Sequence, residues 1–442
     1  MTQNHIGKVI VVGAGPVGLL TALMLGQKGV PVDVMEANDQ VDSSPRGLAY
    51  GPAAVRYRRY IDLNLASLTL LHRVLHRAKI LEKTIEKGFS AGSVAWRKPD
   101  GSLILGLDRL DVSLEGLPHS VILPVGSLSR LLVQEIQNYP SIAVHWQHRV
   151  TGVGQDSSKS WVQVQEISSG TEITMQADFV IGCDGGTSTV RKAVFGGRFP
   201  GYTWPTQLIA VNIWERFADP YEKASIDFDK FGFSDAQWII HPEHWFVIAR
   251  INKQGLWRIV YGETPGLSID EVRTRLTDKF CKHLPGKPEP EQYTLHNVTP
   301  YSIHQRCAEK MRVGRILLAG DAAHLNNPMG GLGLATGIAD VGSLIDCLHG
   351  IHEGLASHDI LEKYDDMRRQ IFLTATDVMS TANFKRIMDD AEGIAKRDPV
   401  LQLLAQAKTD SNIAAALAKA CKPAPLYNYF LQYPDAILPS MS

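Results

Sequence analysis

Three short stretches of the chain combine glycine with an acidic residue in a way that could serve chemistry. In ILLAGDAAHLNNPMGGLGLATG (316–337), an apolar run stops at Gly320-Asp321 and is followed by Pro328, Gly331, Leu332 and Gly333. Bare backbone at such a place lets a flat or anionic ligand come close. In GAGPVG (13–18), Gly13, Gly15 and Gly18 stand in the G-x-G-x-x-G order around Pro16 and Val17, between an apolar run and a helical pattern. The first glycine permits a tight turn, the second admits a pyrophosphate to the backbone, and the third allows close packing of helix on strand. Glu36 closes the next apolar run, where a carboxylate accepts ribose hydroxyls, so this unit reads as a dinucleotide site. In DFVIGCDGGTSTVRKAVFG (178–196), a third apolar run leads into Asp184-Gly185, with Ser188 and Arg191 beyond.

The elements that must carry these motifs follow from periodicity. KVIVVG, LLTALMLGQKG and PVDVMEAN predict a βαβ unit with the phosphate on the helix N-terminus. A helical pattern covers roughly 53–87, and SLSRLLVQEIQN (127–138) predicts a helix capped by Ser127. IAVHWQ, WVQVQEI and TEITMQADFVIG read as strands, and alternation from 207 to 262 predicts a second, mostly antiparallel sheet. HLPGKPEPEQ (283–292) is expected as a loop returning to the first domain, and the chain after 338 as helical, with an irregular tail from Cys421.

Composition sets bounds. A chain of 442 residues exceeds one ordinary core, and 44% hydrophobic with 21% charged residues is globular. A net charge of −1 offers no electrostatic footprint for nucleic acid. No apolar stretch is expected to reach the roughly 20 residues of a membrane span. Five scattered cysteines without a CxxC pair predict a reducing compartment, and MTQNHIG running straight into KVIVVG without a long apolar targeting segment leads us to expect a cytoplasmic protein without a cleaved leader. Oligomeric state is not legible.

The three motifs, in this order over roughly residues 8–345, resemble those of the single-component FAD-dependent aromatic hydroxylases, the group of para-hydroxybenzoate and salicylate hydroxylases. The resemblance implies an α/β fold, a doubly wound FAD-binding domain of the glutathione-reductase-like kind. It would comprise 1–75, 126–200 and 298–350, with a sheet-based substrate domain from 76–125 and 201–297 and a helical region from 351–442. It also implies roles. Glu36 would hold the adenosine ribose, Arg46 and Gly47 in SPRGLAYG would lie by the pyrophosphate or mobile flavin, and Arg130 would reach the cofactor. Val150 would touch adenine through its backbone, while Asp184 and Arg191 belong to a shared fingerprint with a largely structural job. Asp321, after Gly320, would accept ribityl hydroxyls, Pro328 would sit over the ring, and amides near Gly331, Leu332 and Gly333 would face its pyrimidine edge.

Val125, Leu332 and Ala335 stand where relatives usually carry polar residues. No second G-x-G-x-x-G follows, in keeping with NADPH or NADH as a transient co-substrate. The implied reaction uses O2, through a flavin hydroperoxide, to hydroxylate a phenolic or polyketide-like small molecule. An FAD oxidase or epoxidase, or a flavin-binding protein without turnover, are the alternatives; a halogenase would carry W-x-W-x-I-P, which is absent.

The catalytic residues are left unknown. Weak candidates for ionising the substrate are Tyr202, His241, Arg250 and Tyr261, each equally readable as an ordinary sheet residue. Trp204, Trp238, Trp245 and Trp257 read as sheet core, and His324 as a packing or hydrogen-bonding residue near FAD. His72 and His76 sit four apart without a third ligand, and HPEH (241–244) fails the same test, so no metal is expected.

Overall fold

The computed structural model of the chain describes residues 5–42, 73–90, 93–108, 121–214, 226, 228–233 and 235–420. Its first core is a six-stranded sheet ordered Arg312–Val313, Ile316–Leu318, Phe179–Gly182, Val9–Val12, Val32–Met35, Ile142–His145. All neighbours are parallel except the edge pair of Arg312–Val313 with Ile316–Leu318. Val9–Val12 and Phe179–Gly182 are apolar throughout and wholly buried, as central parallel strands covered on both faces must be. Helices Pro16–Gly26, Val125–Ile136 and Leu332–His352 share this core with a three-stranded antiparallel sheet, His148–Gln155, Ser160–Glu166 and Glu172–Ala177. This is the expected α/β architecture.

The second core lies on the two faces of an eight-stranded sheet. Its order is His324–Leu325, Thr294–Cys307, Gly201–Trp214, Leu256–Glu263, Phe246–Arg250, Ala236–Ile239, Ser93–Arg97, Leu103–Asp108. One pairing, Ala236–Ile239 with Ser93–Arg97, is parallel. One face, with Ile209, Val211, Ile213, Ile259 and Tyr261, is covered by helix Ile269–His283, which starts on a Ser268/Glu271 capping box. The opposite face, with Leu208, Ala210, Val260 and Ile303, meets Met329 and the C-terminal helices through Phe384, Ile387 and Leu401. Those helices include one long run from Ile360 to Ile387, interrupted at Phe372–Thr376 by a π turn.

Several local expectations are corrected. TEITMQADFVIG is two strands in different sheets, separated at Asp178, whose carboxylate accepts the Gly7 and Lys8 N–H groups at 2.7 and 3.1 Å. The helix expected from 127 begins at Val125 behind Pro124, and Ser127 Oγ accepts from Arg130 instead of capping. Within the pattern 53–87, residues 53–72 fall outside the described residues, and the remainder breaks at Lys79 (φ +58°) before helix Leu81–Lys87. HLPGKPEPEQ leads into Thr294–Cys307, which pairs along Gly201–Trp214. The chain therefore stays in the large sheet and returns to the parallel sheet only after Cys307. Helix Leu332–His352 is also long and apolar enough for a span, with mean hydropathy 1.2, but 78% of that window is buried in the fold. The tail from Cys421 lies outside the described residues.

Candidate active site

The three motifs leave the C-terminal ends of Val9–Val12, Phe179–Gly182 and Ile316–Leu318, which are neighbours in the parallel sheet. In open α/β sheets ligands bind beyond this end of the strands. Each glycine of the first motif does a different job. Gly13 has φ +101°, and a Cβ there would stand 2.5 Å from the Cys183 carbonyl oxygen. At Gly18 a Cβ would stand 2.0 Å from the Gly13 oxygen, so helix and turn touch through bare backbone. At Gly15 a Cβ would meet nothing within 4 Å. The middle glycine thus borders open space at the N-terminus of helix Pro16–Gly26, where unpaired N–H groups and the helix dipole favour an anion.

Glu36 accepts from the Ala14 N–H at 2.7 Å and from the Asn38 N–H and Nδ2 at 2.9 and 2.7 Å. It therefore ties the glycine turn to the end of the second strand. His148 N–H donates to the Glu36 carbonyl at 2.8 Å, bringing strand His148–Gln155 alongside. Val150 is buried on that strand, next to a bulge between Val150 and Gly152. Arg130 is exposed on helix Val125–Ile136. Arg46 and Gly47 lie outside the described residues.

Asp184 accepts the Ser188 hydroxyl and the Thr189 and Val190 N–H groups, the latter two at 2.6 and 3.1 Å. Arg191 donates to the Ala322 and Gly186 carbonyls at 2.8 and 2.7 Å, with its guanidinium 3.7 Å from the Phe199 ring centroid. Both side chains hold loops together, and Arg191 fastens the second motif to the third.

Asp321 is different. Burial pushes its carboxyl above the ordinary carboxylate range, yet the side chain keeps open surface, as do Pro328 and Gly331 amid buried neighbours. It therefore lies crowded by protein yet open to solvent, and no donor among the described residues reaches its oxygens. A ligand that covered this carboxylate would have to supply donors in place of water, and a polyol does so. With open space at Gly15, that orphaned acceptor fits FAD. Beyond the turn, Gly330 (φ +110°) and Gly331 (φ +64°) lead into helix Leu332–His352. The first-turn N–H groups of that helix, at Leu332 and Gly333, have no preceding-turn carbonyl to meet.

Behind the turn lies a buried ionic cluster that sequence reasoning did not assemble. Asp340 accepts from His324 Nε2 (2.7 Å), Arg368 Nε (2.7 Å) and the Gly320 N–H (3.0 Å). The His324 ring stacks on Phe372 at 4.7 Å. Its partners Asp340 and Phe372 lie 16 and 48 residues from it, and no local pattern announces them.

The substrate candidates mostly lie elsewhere. Tyr261 and Arg250 are on the sheet face under helix Ile269–His283, away from Pro328. Tyr261 packs with Phe246 and Phe280 beneath the Lys279 ammonium, 5.0 Å from its ring, and Arg250 lies 4.8 Å over Trp257. His241 is at the sheet rim, its Nδ1 accepting the Glu243 and His244 N–H groups at 3.0 and 2.9 Å and its ring stacked toward His244. Tyr202 is 45% exposed and touches Trp204 edge-on.

The face toward Met329 instead presents Trp204, Leu208, Ile303 and Tyr301, with Phe384 at 4.7 Å from Trp204. Tyr301 is deep enough for burial to raise its phenol, and still keeps open surface. It escaped sequence reasoning because its strand carries polar and apolar residues on both faces. Among the described residues no group of three His, Cys, Asp or Glu could hold a metal; His72 falls outside them.

A family model described as "FAD binding domain" matches residues 7–379. Para-nitrophenol 4-monooxygenase of Pseudomonas sp. (strain WBC-3) is 37% identical over 393 residues, 87% of this chain and 90% of that protein. 6-Hydroxy-3-succinoylpyridine 3-monooxygenase HspB of Pseudomonas putida (strain DSM 28022 / S16) is 33% identical over 396 residues, 88% and 91% of the two chains. The crystal structure of p-nitrophenol 4-monooxygenase PnpA from Pseudomonas putida DLL-E4 superposes with a TM-score of 0.80 at 34% identity, covering 95% of this chain and 99% of that one.

Proposed function

Since the chain belongs to the single-component FAD-dependent aromatic hydroxylases and is a flavoprotein monooxygenase, we propose that its substrate is a small monocyclic phenol or hydroxypyridine. Two relatives matched over nearly their whole length are named for single hydroxylated rings, which supports a small substrate over a polycyclic one. The single observation that carries the cofactor assignment is Asp321, open at the end of its strand and without a donor among the described residues, opposite the open space at Gly15.

In this reading the Gly13–Gly18 turn and its helix hold the pyrophosphate, Glu36 the adenosine ribose, and the Val150 backbone the adenine. Asp321 takes the ribityl hydroxyls, Pro328 lies at the ring face, Gly331 turns the chain there, and the amides of Leu332 and Gly333 meet the ring edge that gains electron density. There, fixed N–H dipoles stabilise negative charge without reorganising. Arg46, Gly47 and Arg130 join the set on the sequence motifs alone. Bound FAD supplies the redox and oxygen chemistry, accepting hydride from NADPH or NADH and passing one atom of O2 to the aromatic ring.

The chain's own residues bind, orient and keep the site dry. Trp204, Leu208, Ile303, Met329 and Phe384 form an apolar wall. Tyr301, kept neutral by its burial, is a hydrogen-bond donor suited to a substrate oxygen that carries partial negative charge. The free thiols Cys183, Cys281, Cys307 and Cys347 support a reducing compartment, which we take to be the cytoplasm.

The test is oxidation of NADPH and NADH by FAD-loaded protein with 4-nitrophenol, phenol and 6-hydroxynicotinate, scored for hydroxylated product under labelled O2 and for hydrogen peroxide. Product labelled with one oxygen from O2 is the expected result. Peroxide alone with every phenol tried would overturn the substrate class.

A further inference from the structure

The loop between His324–Leu325 and helix Leu332–His352 is held from outside by side chains of other elements. The Asn327 N–H and Nδ2 both donate to Gln305 Oε1, at 2.5 and 3.0 Å. Gln305 Nε2 in turn donates to the Asp377 carboxylate and to the Ser380 and Thr381 hydroxyls, the last two at 3.2 Å. The Met329 N–H donates to Asn327 Oδ1 at 3.0 Å, and the Met329 carbonyl accepts from Asn383 Nδ2 at 3.3 Å. Asn383 Oδ1 accepts from an Arg386 guanidinium nitrogen at 2.7 Å, and Arg386 Nε donates to Asp398 at 2.9 Å. Asp398 then caps helix Pro399–Thr409.

Two features make Asn383 the key member. Arginine only donates, so its bond fixes which end of the Asn383 carboxamide is oxygen and turns the NH2 toward Met329. At Gly330, moreover, a Cβ would lie 2.8 Å from Asn383 Nδ2, so the amide packs against the bare Cα of a residue held at φ +110°. Asn327, Gln305, Asn383 and Arg386 are all at most 3% exposed. Buried and mutually satisfied, such a network specifies one arrangement.

We propose that Asn383 is a positioning residue: from the C-terminal helix Asp377–Ile387 it sets the backbone of Met329–Gly331, and with it the amide edge offered to the flavin. The proposal rests on the reading of Leu332 and Gly333 as that edge. The C-terminal helices thus act on the cofactor without touching it.

Asn383→Asp tests this, since it keeps shape and the Arg386 contact but turns an oxygen toward the Met329 carbonyl. Loss of one net hydrogen bond should speed hydrogen exchange of the 327–333 amides about tenfold in the FAD-free protein, with exchange in Val9–Val12 unchanged. In FAD-loaded protein the visible circular dichroism of the flavin should change and its dissociation quicken, which a purely structural role would not produce. Wild-type loop exchange together with a wild-type flavin spectrum would overturn the proposal. If Asn383→Asp does not fold, Asn383→Ser, which shortens the side chain away from Met329, is read the same way. Failure of the wild-type protein to take up FAD would refute the cofactor assignment, whereas loop exchange without FAD decides the role of Asn383.

Discussion

His324 Nε2 and Asp340 Oδ2 stand 2.7 Å apart with side-chain exposures of 1% and 0%, and Arg368 closes on the other Asp340 oxygen. Removing the acid from such a cluster strands a cation in the interior. Asp340→Asn should therefore destabilise the FAD-free protein by about 3–5 kcal/mol. Urea unfolding of the two proteins measures the difference.

The same cluster fixes a sign for pH. Burial would raise the Asp340 carboxyl, but the His324 and Arg368 charges and hydrogen bonds outweigh it and hold it below its ordinary 3.8. A carboxylate lowered on folding stabilises the native state fully above its unfolded pKa and loses that contribution as pH falls through the native value. Thermal midpoints recorded from about pH 5 down to about pH 2 should fall, and fall less steeply in Asp340→Asn.

Neighbouring glycines should fail in different ways. Gly15→Ala points a methyl into open space, so the FAD-free protein should keep its melting temperature but bind FAD at least about tenfold more weakly, a cost near 1.4 kcal/mol. Gly18→Ala drives a methyl against the Gly13 carbonyl and should cost about 1–3 kcal/mol of fold stability. Calorimetry with and without FAD separates the two outcomes.

Asp321 should matter to the cofactor and not to the fold. Without ligand its side chain is open to water, so Asp321→Ala should leave the stability of the FAD-free protein within about 0.5 kcal/mol of wild type. Each hydrogen bond from a ribityl hydroxyl to the charged oxygen is worth about 1.5–3 kcal/mol, so FAD affinity should drop about 10- to 100-fold. Fluorescence titration with FAD gives the second number.

Tyr301→Phe keeps the ring and removes the donor. The KM for a turned-over phenol should rise about fivefold, the worth of one net hydrogen bond near 1 kcal/mol, while NADPH oxidation without substrate stays unchanged. Steady-state kinetics at fixed NADPH decide it.

The first half of the site was readable because its chemistry is local. Gly13, Gly15 and Gly18 fall within six residues, and turn, ligand approach and helix packing each demand a missing side chain at a fixed spacing. Asp321 was readable as the end of an apolar run. The substrate wall was not, because both faces of the large sheet are apolar: Leu208 and Ala210 point one way, Ile209 and Val211 the other, and alternation cannot say which faces the cavity. Tyr261 and the wall of Trp204, Leu208 and Ile303 read alike in sequence for that reason, although they lie on opposite faces. Asn383 and Gln305 were invisible because their partners are 54 and 22 residues away in sequence.

The π turn at Phe372–Thr376 limits how this enzyme can vary. Each residue advances an α-helix by about 100°, so a wide turn carries one residue more than a regular one and offsets everything after it by that angle. Ser380, Asn383 and Phe384 all lie downstream. Straightening that turn into a regular helix with no residue removed would swing those three side chains about a quarter of a circle away from Met329. Lineages descending from this chain can exchange residues in that stretch while the wide turn persists, or lose the turn together with its extra residue, and still present those side chains to the loop.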